Sequence, residues 1–400
     1  MKSKRPRRMG TGYQMIGTLF LTGFLGFGAI NGALLLVFLV KDRYFMPSLS
    51  LRGVALEPAY PDFTRRELHA LLHETWSQPF LYEPFTQFKE RPRTGRYVNV
   101  SEHGFRAGLA PPPPWPPDRR FRNVFLFGGS TAFGYGLPDH QTIAAFLQRR
   151  LPSEPSAREW RVYNFGRGAY YSSQERILFE QLLVSGAVPD LAIFVDGLNE
   201  FGYDADAPAF TAQLQTLMDG RWQARAAFLL TATCRRWMES WPMTRALAAV
   251  QRRMAGVLTE RQADQRAMAM PLPGQAAMEP KIQRLIARYV SNLRLITAIG
   301  QEVGVTTVFV WQPVPYYGWD RQRYQFPMRE DQQLVKAGYP VMAAYVNEHG
   351  GRLGKRFVWC ADVQDRIPGL LYVDSVHYAA ALSEAVAACM YDALVRQDLL

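Results

Sequence analysis

The chain has six histidines, and one closes the segment LYVDSVHY at 371–378. Asp374 precedes His377 by three residues, so a single turn brings the carboxylate to one imidazole nitrogen and leaves the other free. An imidazole held that way can act as general base for a hydroxyl nucleophile. The candidate nucleophile is Ser130, in VFLFGGSTAFGYG at 124–136. There a buried apolar run breaks at Gly128 and Gly129 and the backbone turns sharply under the serine. Acyl chemistry also needs donors for a developing oxyanion. NFGRGAYYS (164–172) offers a backbone N–H in its glycine turn, and DGLNEF (196–201) offers the side-chain amide of Asn199. The stretch around Ser130, taken alone, fits a turn or helix cap as well as a nucleophile.

Three other glycine motifs fail. A phosphate loop requires Lys and Ser or Thr after its last glycine, and Gly134 is followed by Tyr135. A dinucleotide fingerprint requires G-x-G-x-x-G, and Gly134-Tyr135-Gly136 runs into Leu137-Pro138-Asp139. The nucleophile elbow G-x-S-x-G fits Gly128 and Ser130 but meets Ala132 at its last position. His69 and His73 have i, i+4 spacing for a metal pair but no third ligand in view, and an exposed helix face accounts for them.

The elements that must position these residues alternate from residue 122 onward. Strands are expected at 123–128, 160–165, 190–197, 305–311 and 356–361. Helices are expected after Asp139 as cap, near 172–185, at 280–299 and at 378–396. That alternation predicts a three-layer α/β/α sandwich on a parallel sheet of about five strands. The loops carrying Ser130, 164–172 and Asn199 all follow strands, and carboxyl ends of parallel strands are where such folds build sites. The loop WQPVPYYGWDRQRYQF (311–326) follows the fourth strand. Its Trp311, Tyr316, Tyr317 and Trp319, with Tyr170 and Tyr171, are candidates either to contact a sugar or acyl chain or to pack the core.

Ahead of this domain (121–400) lie a basic tail (1–14), an apolar helix (15–40) and a neck (41–120). The neck's APPPPWPPDRR reads as a stiff polyproline spacer. Residues 203–278 interrupt the alternation and read as a helical insertion, a candidate surface for envelope protein partners. The chain carries 46 basic and 35 acidic residues, a net charge of +11, and Lys2, Lys4, Arg5, Arg7 and Arg8 supply five of the positive charges. No basic stripe interleaved with aromatics suggests nucleic acid. Residues 9–40 contain no Asp, Glu, Lys or Arg. The 26 residues from Met15 to Val40 span roughly 39 Å as a helix, enough for a bilayer core. The basic flank predicts a single-pass anchor in the cytoplasmic membrane with its N-terminus inside and the catalytic domain extracytoplasmic or periplasmic. Cys234, Cys360 and Cys389 leave the pairing open.

In this order GGST, NFGRGA, GLNE and DSVH resemble the four blocks of the SGNH (GDSL-like) hydrolase superfamily, over about residues 120–398. The resemblance implies Ser130 as nucleophile, His377 as base, Asp374 as its orienting carboxylate, and an oxyanion hole from Ser130, Gly168 or Ala169, and Asn199. Ala169 stands where that family usually has glycine, and it can serve if its φ stays negative. Gly129 and Glu200 stand where the family often has aspartate. YVNVSEHGFR (97–106) also resembles the lead-in of membrane-anchored members. The implied function is a serine esterase acting outside the cytoplasm on an acylated glycan, lipid or envelope component, with no metal or organic cofactor. The alternatives are an O-acyltransferase modifying an exported polysaccharide, and a non-catalytic binding or assembly component with the same fold.

Overall fold

The computed structural model describes residues 10–44, 50–51, 54–109, 111–152, 158–202, 207–218, 241–244, 246–247, 275–318, 326 and 332–400. Five apolar segments form the central sheet: β1 (Arg122–Gly128), β2 (Trp160–Asn164), β3 (Leu191–Asp196), β4 (Thr306–Trp311) and β5 (Phe357–Trp359). All neighbours pair in parallel, in the order β2-β1-β3-β4-β5. Both faces are covered, so β1 and β3 are buried at nearly every position. Phe127, Phe194 and Phe309 are register partners on β1, β3 and β4, and their rings stack at 4.8 and 5.5 Å. This order is the flavodoxin-like arrangement, whose switch point falls between β1 and β3.

Seven helices matter here: α1 (Gly10–Tyr44), α2 (Arg65–Trp76), α3 (Ile143–Arg150), α4 (Ser172–Val184), α5 (Gln275–Glu302), α6 (Gln333–Leu353) and α7 (Ala380–Arg396). α3 packs on α7, while α4 packs on α5 and α5 on α6, giving the two outer layers. The expected strands and helices fall within a few residues of these, except that α6 had no sequence expectation. Its Gly338, Pro340, Gly350 and Gly351 are breakers by composition. Asp139 does not cap α3. Thr142 does, accepting the Ala145 N–H, because the Asp139 carboxylate is committed elsewhere.

The chain divides into two compact units, Met1–Pro47 with Leu214–Pro271, and Ser48–Gln213 with Leu272–Leu400. In the first, Met15–Val37 of α1 is long and apolar enough to cross a membrane, and its side chains are exposed. Thr22 and Asn31 donate to the carbonyls of Thr18 and Phe27 within the helix, and Asn31 Oδ1 accepts the Met243 N–H at 3.1 Å. Of the expected insertion at 203–278, the helix Thr211–Met218 is described. Most of the remainder, with Cys234, lies outside the described residues, as does Trp319.

The neck is not a spacer. Leu68, Leu71, Phe88, Val98, Val100 and Phe105 are buried in the same core as the sheet. Burying them removes apolar area that an extended linker would leave in water. α2 starts with a reciprocal Thr64–Glu67 capping box. Even the proline run is docked: Trp115 packs on Phe105 and Phe165, and Pro114 O accepts from the Tyr163 hydroxyl at 2.8 Å. Cys360, just after β5, is disulfide-bonded to Cys389 of α7.

Candidate active site

Ser130 opens a single helical turn, Ser130–Phe133, directly after β1. Gly129 at its head has φ −78°, ordinary for any residue. It is required for another reason, since a Cβ there would collide with the Asn199 amide lying over it. Arg106, fully buried, holds the turn from beneath. Its guanidinium donates to the carbonyls of Phe133, Gly134 and Leu137 at 2.6–2.9 Å and to Asp139 Oδ1 at 2.8 Å. The 97–106 segment therefore supports the Ser130 turn directly.

Asp374 and His377 form a self-contained unit. Asp374 Oδ1 accepts the backbone N–H of Val376 at 2.8 Å and of His377 at 2.7 Å, and Oδ2 lies 2.7 Å from His377 Nδ1. The backbone closes the same turn, Val373 N–H donating to His377 O at 2.9 Å. Burial would raise the Asp374 pKa. The imidazole beside it and these three hydrogen bonds outweigh that and bring it down to about 2. His377 Nε2 is buried and has no partner among the described residues.

The serine and imidazole are joined through their neighbours. Thr131 and Tyr378, each one residue beyond, both donate to Gln312 Oε1, just past β4, at 2.5 and 2.8 Å. Tyr135 gives its N–H to Ser130 O at 3.1 Å, and its ring centroid lies 5.6 Å from that of His377. Ser130 is partly exposed, and no hydrogen bond joins its hydroxyl to His377. Gln312 escaped the sequence reading because nothing in WQPVP marks it as a shared acceptor.

The oxyanion candidates lie across the switch point. Residues 167–170 form a turn closed by Tyr170 N–H to Arg167 O at 3.3 Å, with Ala169 at φ +62°. The expectation of a negative φ is overturned. A positive φ at the third residue is the type II pattern, normally filled by glycine. The alanine accepts it because the turn is fixed on three sides. Arg167 N–H donates to Gly128 O at 2.9 Å, Tyr170 O accepts the Asn199 amide at 2.6 Å, and Gly168 N–H donates to Glu90 Oε1 at 2.9 Å. Gly168 thus has its only N–H occupied, whereas that of Ala169 has no acceptor among the described residues.

The sequence matches no family model, and no curated relative is found for it. Among solved structures, it is similar to a member of the lipolytic protein G-D-S-L family from Veillonella parvula (10% identity, TM-score 0.37, 68% of this chain and 98% of the other). A carbohydrate acetylesterase from Sinorhizobium meliloti is similar at 12% identity and TM-score 0.36, over 69% and 99%. An acetylxylan esterase from Geobacillus stearothermophilus is similar at 12% identity and TM-score 0.35, over 68% and 94%.

Most of the aromatic candidates for substrate contact prove structural. Trp311 is a fully buried β4 residue packed between Tyr289, Tyr339 and Trp359. Tyr170 is buried with its hydroxyl on Phe88 O, and Tyr171 lies under the Arg288 guanidinium. Tyr316 gives its hydroxyl to Gln332 and Ser375 O, bracing the loop of Asp374. Tyr317 is half-buried against Trp359. All lie on strands or turns that feed the core, so their rings complete packing. Instead Trp76, at the end of α2, is 45% exposed, with its ring 5.0 Å from His377 and 5.1 Å from Tyr135. No motif marked it, because its placement depends on the neck docking.

Behind Asn199, Glu200 accepts the N–H and hydroxyl of Ser172 at 2.6 and 3.0 Å, tying the head of α4 to this loop. Glutamate has the reach for that span. Glu175 and Asp196 are buried together nearby; burial pushes both carboxyls well up, the charges of Asp196 and Glu200 adding to the rise at Glu175 and that of Glu200 to the rise at Asp196.

Proposed function

We propose that this chain is an SGNH-type serine esterase working through an acyl-Ser130 intermediate. The observation that carries the reading is the imidazole locked by Asp374 with its Nε2 buried and unpartnered beside the Ser130 turn. In the first half-reaction His377 Nε2 takes the Ser130 proton as Oγ attacks the ester carbonyl. The tetrahedral oxyanion is held by the N–H groups of Ser130 and Ala169 and the second amide hydrogen of Asn199. Its collapse expels the alkoxide, which leaves with the proton from His377. Water, deprotonated by the same nitrogen, then releases the acid and frees Ser130. A sugar hydroxyl in place of water would make the same site an O-acyltransferase. Product analysis with and without a polysaccharide acceptor separates the two.

Exposed Trp76 at the imidazole suits a glycan or other acylated envelope component, since an aromatic face packs on the apolar face of a sugar ring. The apolar helix α1 and the Cys360–Cys389 disulfide both support an anchored domain in an oxidising compartment outside the cytoplasm. Reporters fused after residue 60 should be active only if they work outside the cytoplasm.

The test is a fluorophosphonate probe on the protein in detergent. Wild type should be labelled at Ser130 alone, and Ser130→Ala should lose labelling with its thermal transition nearly unchanged. A folded wild type inert to the probe removes the esterase reading and leaves a binding protein.

A further inference from the structure

The geometry points to Glu90, a neck residue, as a positioning residue that holds the turn from which the Ala169 N–H is presented to the oxyanion. This rests on the esterase reading above. Glu90 is buried, and one oxygen, Oε1, accepts both Gly168 N–H at 2.9 Å and the Tyr135 hydroxyl at 2.8 Å. Gly168 immediately precedes the strained Ala169, and Tyr135 packs on His377. One carboxyl thus touches both halves of the site without touching the reacting atoms.

The 168–169 peptide can face either way: a type II turn puts Ala169 at positive φ, and a type I turn flips the peptide and keeps φ negative. Left to itself an alanine prefers the second, because the left-handed region costs an L-residue about 1–2 kcal/mol. The flipped peptide would turn the Ala169 N–H away from the position it has here. Something must hold the costlier form. Arg167 N–H on Gly128 O and Tyr170 O on the Asn199 amide fix the ends of the turn. Glu90 fixes the first peptide of the turn, 167–168, by taking the Gly168 N–H, which would be buried without a partner in its absence. Phe80 and the Tyr135 hydroxyl lie against Gly168 and crowd the place a side chain would take.

A carboxylate here faces Arg93 and Arg167, whose charges oppose the rise that burial imposes on it. Burial outweighs them, and the Glu90 carboxyl stays above its ordinary range.

The experiment compares Glu90→Met, which keeps volume but accepts nothing, with Glu90→Gln, whose carbonyl still accepts from Gly168. The readouts are kcat and KM on an activated ester and the affinity of a trifluoromethyl ketone, whose serine adduct carries the oxyanion. Glu90→Met should lower kcat about a hundredfold and weaken the ketone by a similar factor, with KM within about threefold. Glu90→Gln should recover to within about tenfold of wild type. A wild type that reacts with fluorophosphonate, paired with a Glu90→Met protein of unchanged kcat and ketone affinity, overturns the positioning role alone. So does equal loss in both variants, which would mark Glu90 as merely structural. A wild type inert to fluorophosphonate overturns the esterase reading, and this role falls with it.

Discussion

The two sides of the proposed site are built by opposite strategies. The base side is local: Asp374, Val376 and His377 satisfy one another within a few residues, and a single backbone turn closes around them. The proposed oxyanion side is assembled from distant pieces: Arg167 pairs with Gly128, Asn199 with Tyr170 and the neck's Glu90 with Gly168. The local side carries no backbone strain, whereas the assembled side keeps an alanine at φ +62°. A base needs only the correct nitrogen facing the serine. An oxyanion hole needs several donors converging on one point, and convergence is what long-range contacts supply.

Removing the working group from each side should give unequal losses. His377→Ala takes away the base itself and should slow acylation by about three to four orders of magnitude, measured as the rate of fluorophosphonate labelling. Asn199→Ala removes one donor of several and should cost about a hundredfold to a thousandfold in kcat on an activated ester. It also leaves Tyr170 O unpaired, so the thermal transition should fall slightly. If the two variants were equally slow, the division into an autonomous base and a shared hole would be wrong.

The local side also makes a prediction about acid. The Asp374 carboxyl sits at about 2 in the folded chain against an ordinary 3.8. Its ionised form therefore stabilises the fold in full above about pH 4, and that contribution vanishes as pH falls through about 2. The amount is about 2 kcal/mol. Urea titrations of wild type and Asp374→Asn should converge across that window. Parallel curves would mean that the pairing contributes no stability.

The smallest effect belongs to the assembled side. Ala169→Gly removes the left-handed strain at the cost of a freer unfolded chain, so stability should hold or rise by about 1 kcal/mol, with kcat retained. A clear loss of stability would mean that the methyl group packs usefully and that φ is not the issue.

The same contrast explains what could be read in advance. Asp374 and His377 are legible because three residues of spacing encode their hydrogen bond. The sheet is legible because β1, β3 and β4 are continuous apolar runs bounded by turn residues. Glu90, Arg106, Gln312 and Trp76 are illegible as site residues because their partners lie between 27 and 301 positions away, from Arg106 N–H on Phe133 O through Glu90 on Gly168 to Trp76 on His377. The prolines at 111–117 describe local stiffness correctly, yet they say nothing of the groove in which Trp115 lies. Trp311 misled for the converse reason: a position at the end of a strand does not say whether the ring turns into the mouth or into the sheet's outer layer.

The bond between Cys360 and Cys389 encloses a 29-residue stretch, and both Asp374 and His377 fall inside it. The proposed general base is thus carried on a covalent ring, while the proposed nucleophile and oxyanion donors are not. In the unfolded chain that closure is worth about 3–4 kcal/mol on the loop-entropy account. Its reach is uneven. When heat loosens α7, the ring limits how far the imidazole can stray and shortens its search for the serine on cooling. A reductant would release that half of the machinery alone, so that loss of turnover and loss of the central sheet become separate events.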